Sequence, residues 1–192
     1  MSHILFYDTE TTGLPLFKEP SEHPDQPNIV QLAAALVDTD TRKTVSSMNV
    51  IIKPDGWTIS EEMTAIHGIS QELALDVGIG MKEAIDMFLS MWMGRLRVGH
   101  NQSFDARMIR IAQHKLGYFT DDDLDLWKNG DKFCTMYESR PYMQLPKNKL
   151  PKLQEAYTHF FGVDFDGAHS AMNDVNACIA VYFAIIDIEE NK

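Results

Sequence analysis

The order of its apolar segments constrains this chain most: strand-like runs come first, and helices and short runs alternate afterwards. Residues 3–8 (His-Ile-Leu-Phe-Tyr-Asp) form a short apolar run ending in acid, the pattern of a buried strand whose tip carries polar groups. Residues 29–37 and 44–52, rich in Val, Ile and Ala, read as two further strands. Between the first two runs Pro15, Pro20, Pro24 and Pro27 punctuate a polar stretch, which predicts a long loop, either a lid or an inert insertion. A short helix is expected near 61–67. From Met81 the spacing changes: Ala84, Ile85, Phe88, Leu89 and Trp92 recur at helical steps up to Gly94. A strand at 96–99, a helix at 103–116, a last strand at 133–136 and helices at 150–161 and 170–188 complete the pattern. This order predicts an α/β fold whose sheet mixes antiparallel and parallel pairing.

The chain has 192 residues, of which 44% are hydrophobic and 23% charged. That length can bury roughly 70% of the surface an unfolded chain exposes, so a single domain over residues 1–192 is expected. Apolar stretches such as Val181–Ile186 fall far short of the ~18 residues of a membrane span, and Met1–Phe6 lacks the basic start of a signal peptide. Two cysteines, Cys134 and Cys178, without a CxxC motif suit a reduced compartment. The expectation is a cytoplasmic protein with no membrane partner. Seventeen basic against 28 acidic residues give a net charge of −11, which repels polyanions at long range. Any phosphate chemistry must therefore work through bound metal or a local basic strip.

Three clusters carry chemical potential. Asp8 and Glu10 lie two apart at a strand end, so both carboxylates share one face, beside Thr11, Thr12 and Gly13. Without a cation, two such acids raise each other's pKa. His100-Asn101-Gln102-Ser103-Phe104-Asp105 lies at a strand-to-helix junction, where Asn101 or Ser103 can cap the helix and Asp105 falls in its favourable first turn. His169-Ser170-Ala171-Met172-Asn173-Asp174 opens the last helix. Each cluster alone has an ordinary structural reading.

In this order, an Asp-x-Glu, an Asn-x-x-Phe-Asp and a His-x4-Asp resemble the DEDDh family of 3′–5′ exonucleases, the superfamily of the polymerase III proofreading subunit and ribonuclease T. Thr64-Ala65-Ile66-His67-Gly68-Ile69 and Leu150-Pro151-Lys152-Leu153 resemble further family segments. The resemblance implies a ribonuclease-H-like fold with a mixed five-stranded sheet flanked by helices. It also implies two Mg²⁺ or Mn²⁺ ions held by Asp8, Glu10, Asp105 and Asp174. An all-oxygen donor set suits these hard ions, and the absence of paired Cys or His ligands argues against zinc. By the same resemblance Asp8 bridges the ions, Glu10 and Asp174 hold the nucleophile-side ion, and Asp105 supports the other. His169 is the implied general base, since an imidazole's ordinary pKa of ~6.5 lies near neutral pH. The implied reaction is two-metal-ion hydrolysis that releases nucleoside 5′-monophosphates from single-stranded or frayed DNA 3′ ends.

For substrate contacts, the resemblance implicates Thr11, Gly13, Leu14, Glu62, His67 and Phe104. Core packing is the competing reading for Leu14 and Phe104. Arg140, Lys147, Lys149 and Lys152 stand in a stretch without acids, either a solvated loop or a strip that guides the strand. Asp121, Asp123 and Asp125 imitate a calcium loop, but Leu126 and Lys132 occupy its required Gly and Glu positions. Gln154, Tyr157, Phe160 and Phe161 faintly resemble a sliding-clamp peptide, but their helical spacing favours core packing. Two alternatives remain beside the DNA exonuclease: an exoribonuclease trimming RNA 3′ ends or short oligonucleotides, and a proofreading accessory subunit whose partner is a DNA polymerase.

Overall fold

In a computed structural model, residues 2–118, 127, 129–147 and 149–192 are described. Five strands form one sheet in the order β3-β2-β1-β4-β5. They are β1 (His3–Thr11), β2 (Ile29–Asp38), β3 (Thr44–Ile51), β4 (Arg97–Gly99) and β5 (Lys132–Cys134). β1–β2 and β2–β3 pair antiparallel, whereas β1–β4 and β4–β5 pair parallel. The mixed five-stranded sheet is therefore as expected, with β1 at its centre.

Around it lie α1 (Glu61–His67), α2 (Gln71–Val77), α3 (Met81–Trp92), α4 (Gln102–Lys115), α5 (Thr135–Ser139), α6 (Leu153–Phe161) and α7 (Ala171–Glu190). Ser60 and Ser70 cap α1 and α2 by accepting from the N–H groups of Met63 and Leu73. Strand alternation divides the core between two faces. Leu5 and Tyr7 join Phe88 of α3 and Met108, Ile109 and Ile111 of α4, with Trp127 beside them. Ile4 and Phe6 face Val175, Cys178 and Tyr182 of α7. α7 also meets the length and hydropathy of a membrane span, with a mean hydropathy of 1.4. Its buried side chains instead pack on the sheet and on Ala156 of α6.

Several boundaries differ from expectation. β1 continues to Thr11, so Asp8 and Glu10 lie within a paired strand, opposite Ala33 and Gln31. The last strand stops at Cys134, because Thr135 opens a short helix and its buried hydroxyl bonds to His100. α6 starts at Leu153 rather than 150, where Glu155 reaches back to accept from the Lys152 N–H at 2.9 Å. The proline-rich loop is pinned to α4: Arg107 Nη2 donates to the carbonyls of Leu16 (2.8 Å) and Glu19, and Lys115 Nζ donates to Gln26 (2.7 Å) and Pro27 (3.2 Å). Asp121, Asp123 and Asp125 lie outside the described residues.

Candidate active site

Three of the chain's elements deliver acid to one place. Asp8 and Glu10 occupy even positions of β1, on the face that packs α7. Asp174 sits in the first turn of α7, and Asp105 in the first turn of α4 on the opposite side of the sheet. Oxygens of Glu10 and Asp174 and a ring nitrogen of His169 lie within 4.8 Å of one another. Asp8 feels the charges of Asp105, Asp174 and Glu10 together.

The electrostatics are those of acids crowded without a counter-ion. Burial, and then those three carboxylates, hold Asp8 well above the usual carboxylate range. Burial and Asp174 push Glu10 up to about 7. Asp105 is raised to about 7 and Asp174 to about 6, each chiefly by burial. No Lys or Arg among the described residues offsets any of the four. Proteins seldom crowd half-buried and buried carboxylates this way unless a cation joins them. The donors are hard oxygens with one imidazole beside them, which fits Mg²⁺ or Mn²⁺.

Side chains beyond the acids hold this geometry, and sequence reasoning did not single them out. Thr9, between Asp8 and Glu10, faces the other side of β1. Its N–H (3.0 Å) and hydroxyl (2.7 Å) both donate to Asp105 Oδ1 and moderate the rise in that group's pKa. Gln31 is buried among the apolar residues of 29–37, donates to Asn49 Oδ1 at 2.9 Å, and accepts from the Ala171 N–H at 3.2 Å. It thereby ties the start of α7, and with it Asp174, to β2. Period-2 alternation and a lone amide in a Val/Ala run were the available signals for these two.

His169 stands on an exposed turn with φ 68°, a left-handed conformation uncommon outside glycine. Its N–H donates to Asp174 Oδ2 at 3.3 Å. Two residues earlier Gly167 also has positive φ, and a Cβ there would meet Asn173 Nδ2 at 2.3 Å. Asn173 closes the turn by donating to the Gly167 carbonyl at 3.0 Å. At the α4 junction Asn101 is left-handed at φ 66°, and neither it nor Ser103 caps the helix with a side chain.

The expected substrate contacts spread more widely. Thr11 is buried and donates to the Gly13 carbonyl at 2.9 Å. Leu14 just beyond is 74% exposed, whereas Phe104 is half-buried and packs one side against the core. Glu62 and His67 belong to α1. His67 is buried, its Nδ1 accepts from the Ile69 N–H at 3.1 Å, and its Nε2 has no partner among the described residues.

Comparisons with known proteins point to one family and one fold. Exonuclease I of E. coli, solved with single-stranded DNA, superposes with a TM-score of 0.74 at 22% identity, over 100% of this chain and 42% of its own. The enzyme from Methylocaldum szegediense gives 0.75 at 22% identity, again over 100% and 42%. These neighbours share the ribonuclease-H-like fold. In sequence, the uncharacterized exonuclease CP81 of Escherichia phage 186 is 28% identical over 186 residues, 94% of this chain and 87% of its own. A PolC-type DNA polymerase III from Mycoplasmopsis pulmonis is 29% identical over 105 residues, 54% of this chain but only 6% of the polymerase. The exonuclease model of the RNase_T family matches residues 5–182, a span that takes in every acid of the site together with His169. With that match, the chain belongs to the RNase_T exonuclease family.

Proposed function

We propose that the protein is a metal-dependent 3′–5′ exonuclease of the DEDDh type, acting on single-stranded or frayed DNA ends and releasing nucleoside 5′-monophosphates. The observation that carries this reading is the meeting of Asp8, Glu10, Asp105 and Asp174 with no Lys or Arg among the described residues to offset them, and with a His169 nitrogen within 4.8 Å of Glu10 and Asp174 oxygens. The four carboxylates would hold the divalent ions. Once bound, the ions would neutralise the acids and polarise the scissile phosphate.

The chain's own groups have definite tasks. The His169 ring accepts the proton of the attacking water, while its backbone N–H steadies Asp174. Thr9 holds Asp105 in place, and Gln31 fixes the start of α7. Leu14, exposed just after β1, offers an apolar surface to a terminal base and tolerates any base identity. Exonuclease I of E. coli, crystallised with a dT13 oligonucleotide, supports single-stranded DNA as the substrate. The basic strip supports a path toward the site. His100 Nε2 bonds the Pro151 carbonyl at 3.0 Å, which ties the segment beside Lys152 to the α4 junction.

The test is digestion of 5′-labelled DNA and RNA oligonucleotides with Mg²⁺ and with EDTA. A ladder shortening from the 3′ end on DNA, in Mg²⁺ alone, is expected. Cleavage persisting in EDTA would defeat the metal requirement, and faster loss of RNA would favour the exoribonuclease alternative.

A further inference from the structure

Beside α4, beneath the proline-rich loop, lies a cleft of about 630 Å³ that the proposed reaction does not use. Its volume falls within the ~300–1,000 Å³ of small-molecule sites. Residues 103, 106, 107, 110 and 114 line it at three- and four-residue steps, so one face of α4 forms a wall. Arg107 and Arg110 come from that wall, Arg97 from β4 and Lys132 from β5. Four cations around one cleft run against a chain whose net charge is −11. Among the described residues the one acid in its lining, Glu22, faces His114 at 3.9 Å.

Arg97 has a partial structural explanation. Its guanidinium lies 5.0 Å from the Trp92 ring and 4.0 Å from the Trp127 ring, and Nη2 donates to the carbonyls of Trp127 (2.7 Å) and Gly130 (3.3 Å). Those contacts account for a side chain only 1% exposed, but they leave its Nε and Nη1 buried without a partner among the described residues. Arg107 Nε is in the same condition. Burial, and then the neighbouring Arg107, hold the Arg110 guanidinium below its usual range. Unmet buried donors and crowded like charges are unfavourable until an acceptor of opposite charge arrives.

We propose that this cleft binds a phosphate group, held by Arg97, Arg107, Arg110 and Lys132. Guanidinium forks match phosphate oxygens in pairs, and the four cations supply more charge than one phosphate carries. The phosphate belongs either to the backbone of a bound strand or to a free mononucleotide or inorganic phosphate. The site stands apart from the nuclease reading, since nothing in it requires a divalent ion.

The experiment follows the thermal midpoint in EDTA while inorganic phosphate replaces chloride at matched ionic strength. The natural chain and the surface control Lys43→Gln should both gain stability with phosphate. Arg110→Gln, which relieves repulsion and should fold at least as well without phosphate, should need at least tenfold more phosphate for the same gain. No phosphate-specific gain, or an equal gain in Arg110→Gln, would overturn the proposal. Anisotropy of a labelled dT oligonucleotide in the same buffer then identifies the source. Weaker binding by Arg110→Gln, with phosphate competing, assigns the site to a strand; unchanged binding assigns it to free phosphate or a mononucleotide. Because EDTA removes metal-dependent cleavage, an inactive enzyme would leave this result unaffected.

Discussion

Asp8 gains nothing from its neighbours in the metal-free protein, since burial and three carboxylates all disfavour its charge. Asp8→Asn should therefore keep or raise the melting temperature in EDTA, by up to a few degrees, on the order of 1 kcal/mol. It should also abolish cleavage and the stabilisation that Mg²⁺ gives the natural chain. Calorimetry with and without Mg²⁺ checks this, and a lower midpoint in EDTA would mark the side chain as structural. Thr9 works in the opposite sense, because its two donors let Asp105 carry charge while 2% exposed. Thr9→Val keeps the strand and removes one donor, so Mg²⁺ affinity should fall about 10–100-fold, as when a ligand's supporting partner is lost. Titrating activity against Mg²⁺ measures that shift. His169→Gln, as the implied base, should cost about 10²–10⁴-fold in kcat with KM little changed, measured at saturating Mg²⁺.

Among the elements, the junction of β4, α5 and α6 rests on His100. Its Nδ1 accepts from the Thr135 hydroxyl and its Nε2–H donates to the Pro151 carbonyl, each at 3.0 Å, and burial drives its pKa down to about 4. A depressed imidazole stabilises only while neutral. Between pH ~6.5 and about 4 the unfolded chain takes up the proton that the folded one refuses, so stability falls as the pH drops through that window. The natural chain should therefore lose more of its melting temperature than His100→Gln between pH 7 and pH 4; parallel losses would contradict the assignment. The elements also show which patterns the chain spelled out and which it concealed. Long periodic segments such as α3 and α7, and the acids in motif order, were legible because burial enforces their spacing. α2 was not, because Leu73, Leu75 and Val77 stand two apart and are exposed, while Ala74 alone is buried. Gln31 escaped notice for a related reason: its partner, the Ala171 N–H, is 140 residues away, and local pattern holds no record of it.

For the whole molecule, the proposed function requires that a net charge of −11 and a polyanionic substrate be reconciled locally. Lys149 is paired with Glu155, whereas Lys147 and Lys152 are exposed. Replacing Lys147, Lys149 and Lys152 by Gln should raise KM and flatten its dependence on salt; an unchanged salt response would remove the strip from the substrate's path. The site also draws on regions of very different solidity. Asp8 and Glu10 ride on the central strand, held by β2 on one side and β4 on the other, whereas His169 sits on an exposed turn ahead of α7. Amide hydrogens of β1 should be among the last to exchange, and those of 166–169 among the first. Mild urea should accordingly silence the enzyme before the chain unfolds, by releasing the imidazole from an acid cradle that is still intact.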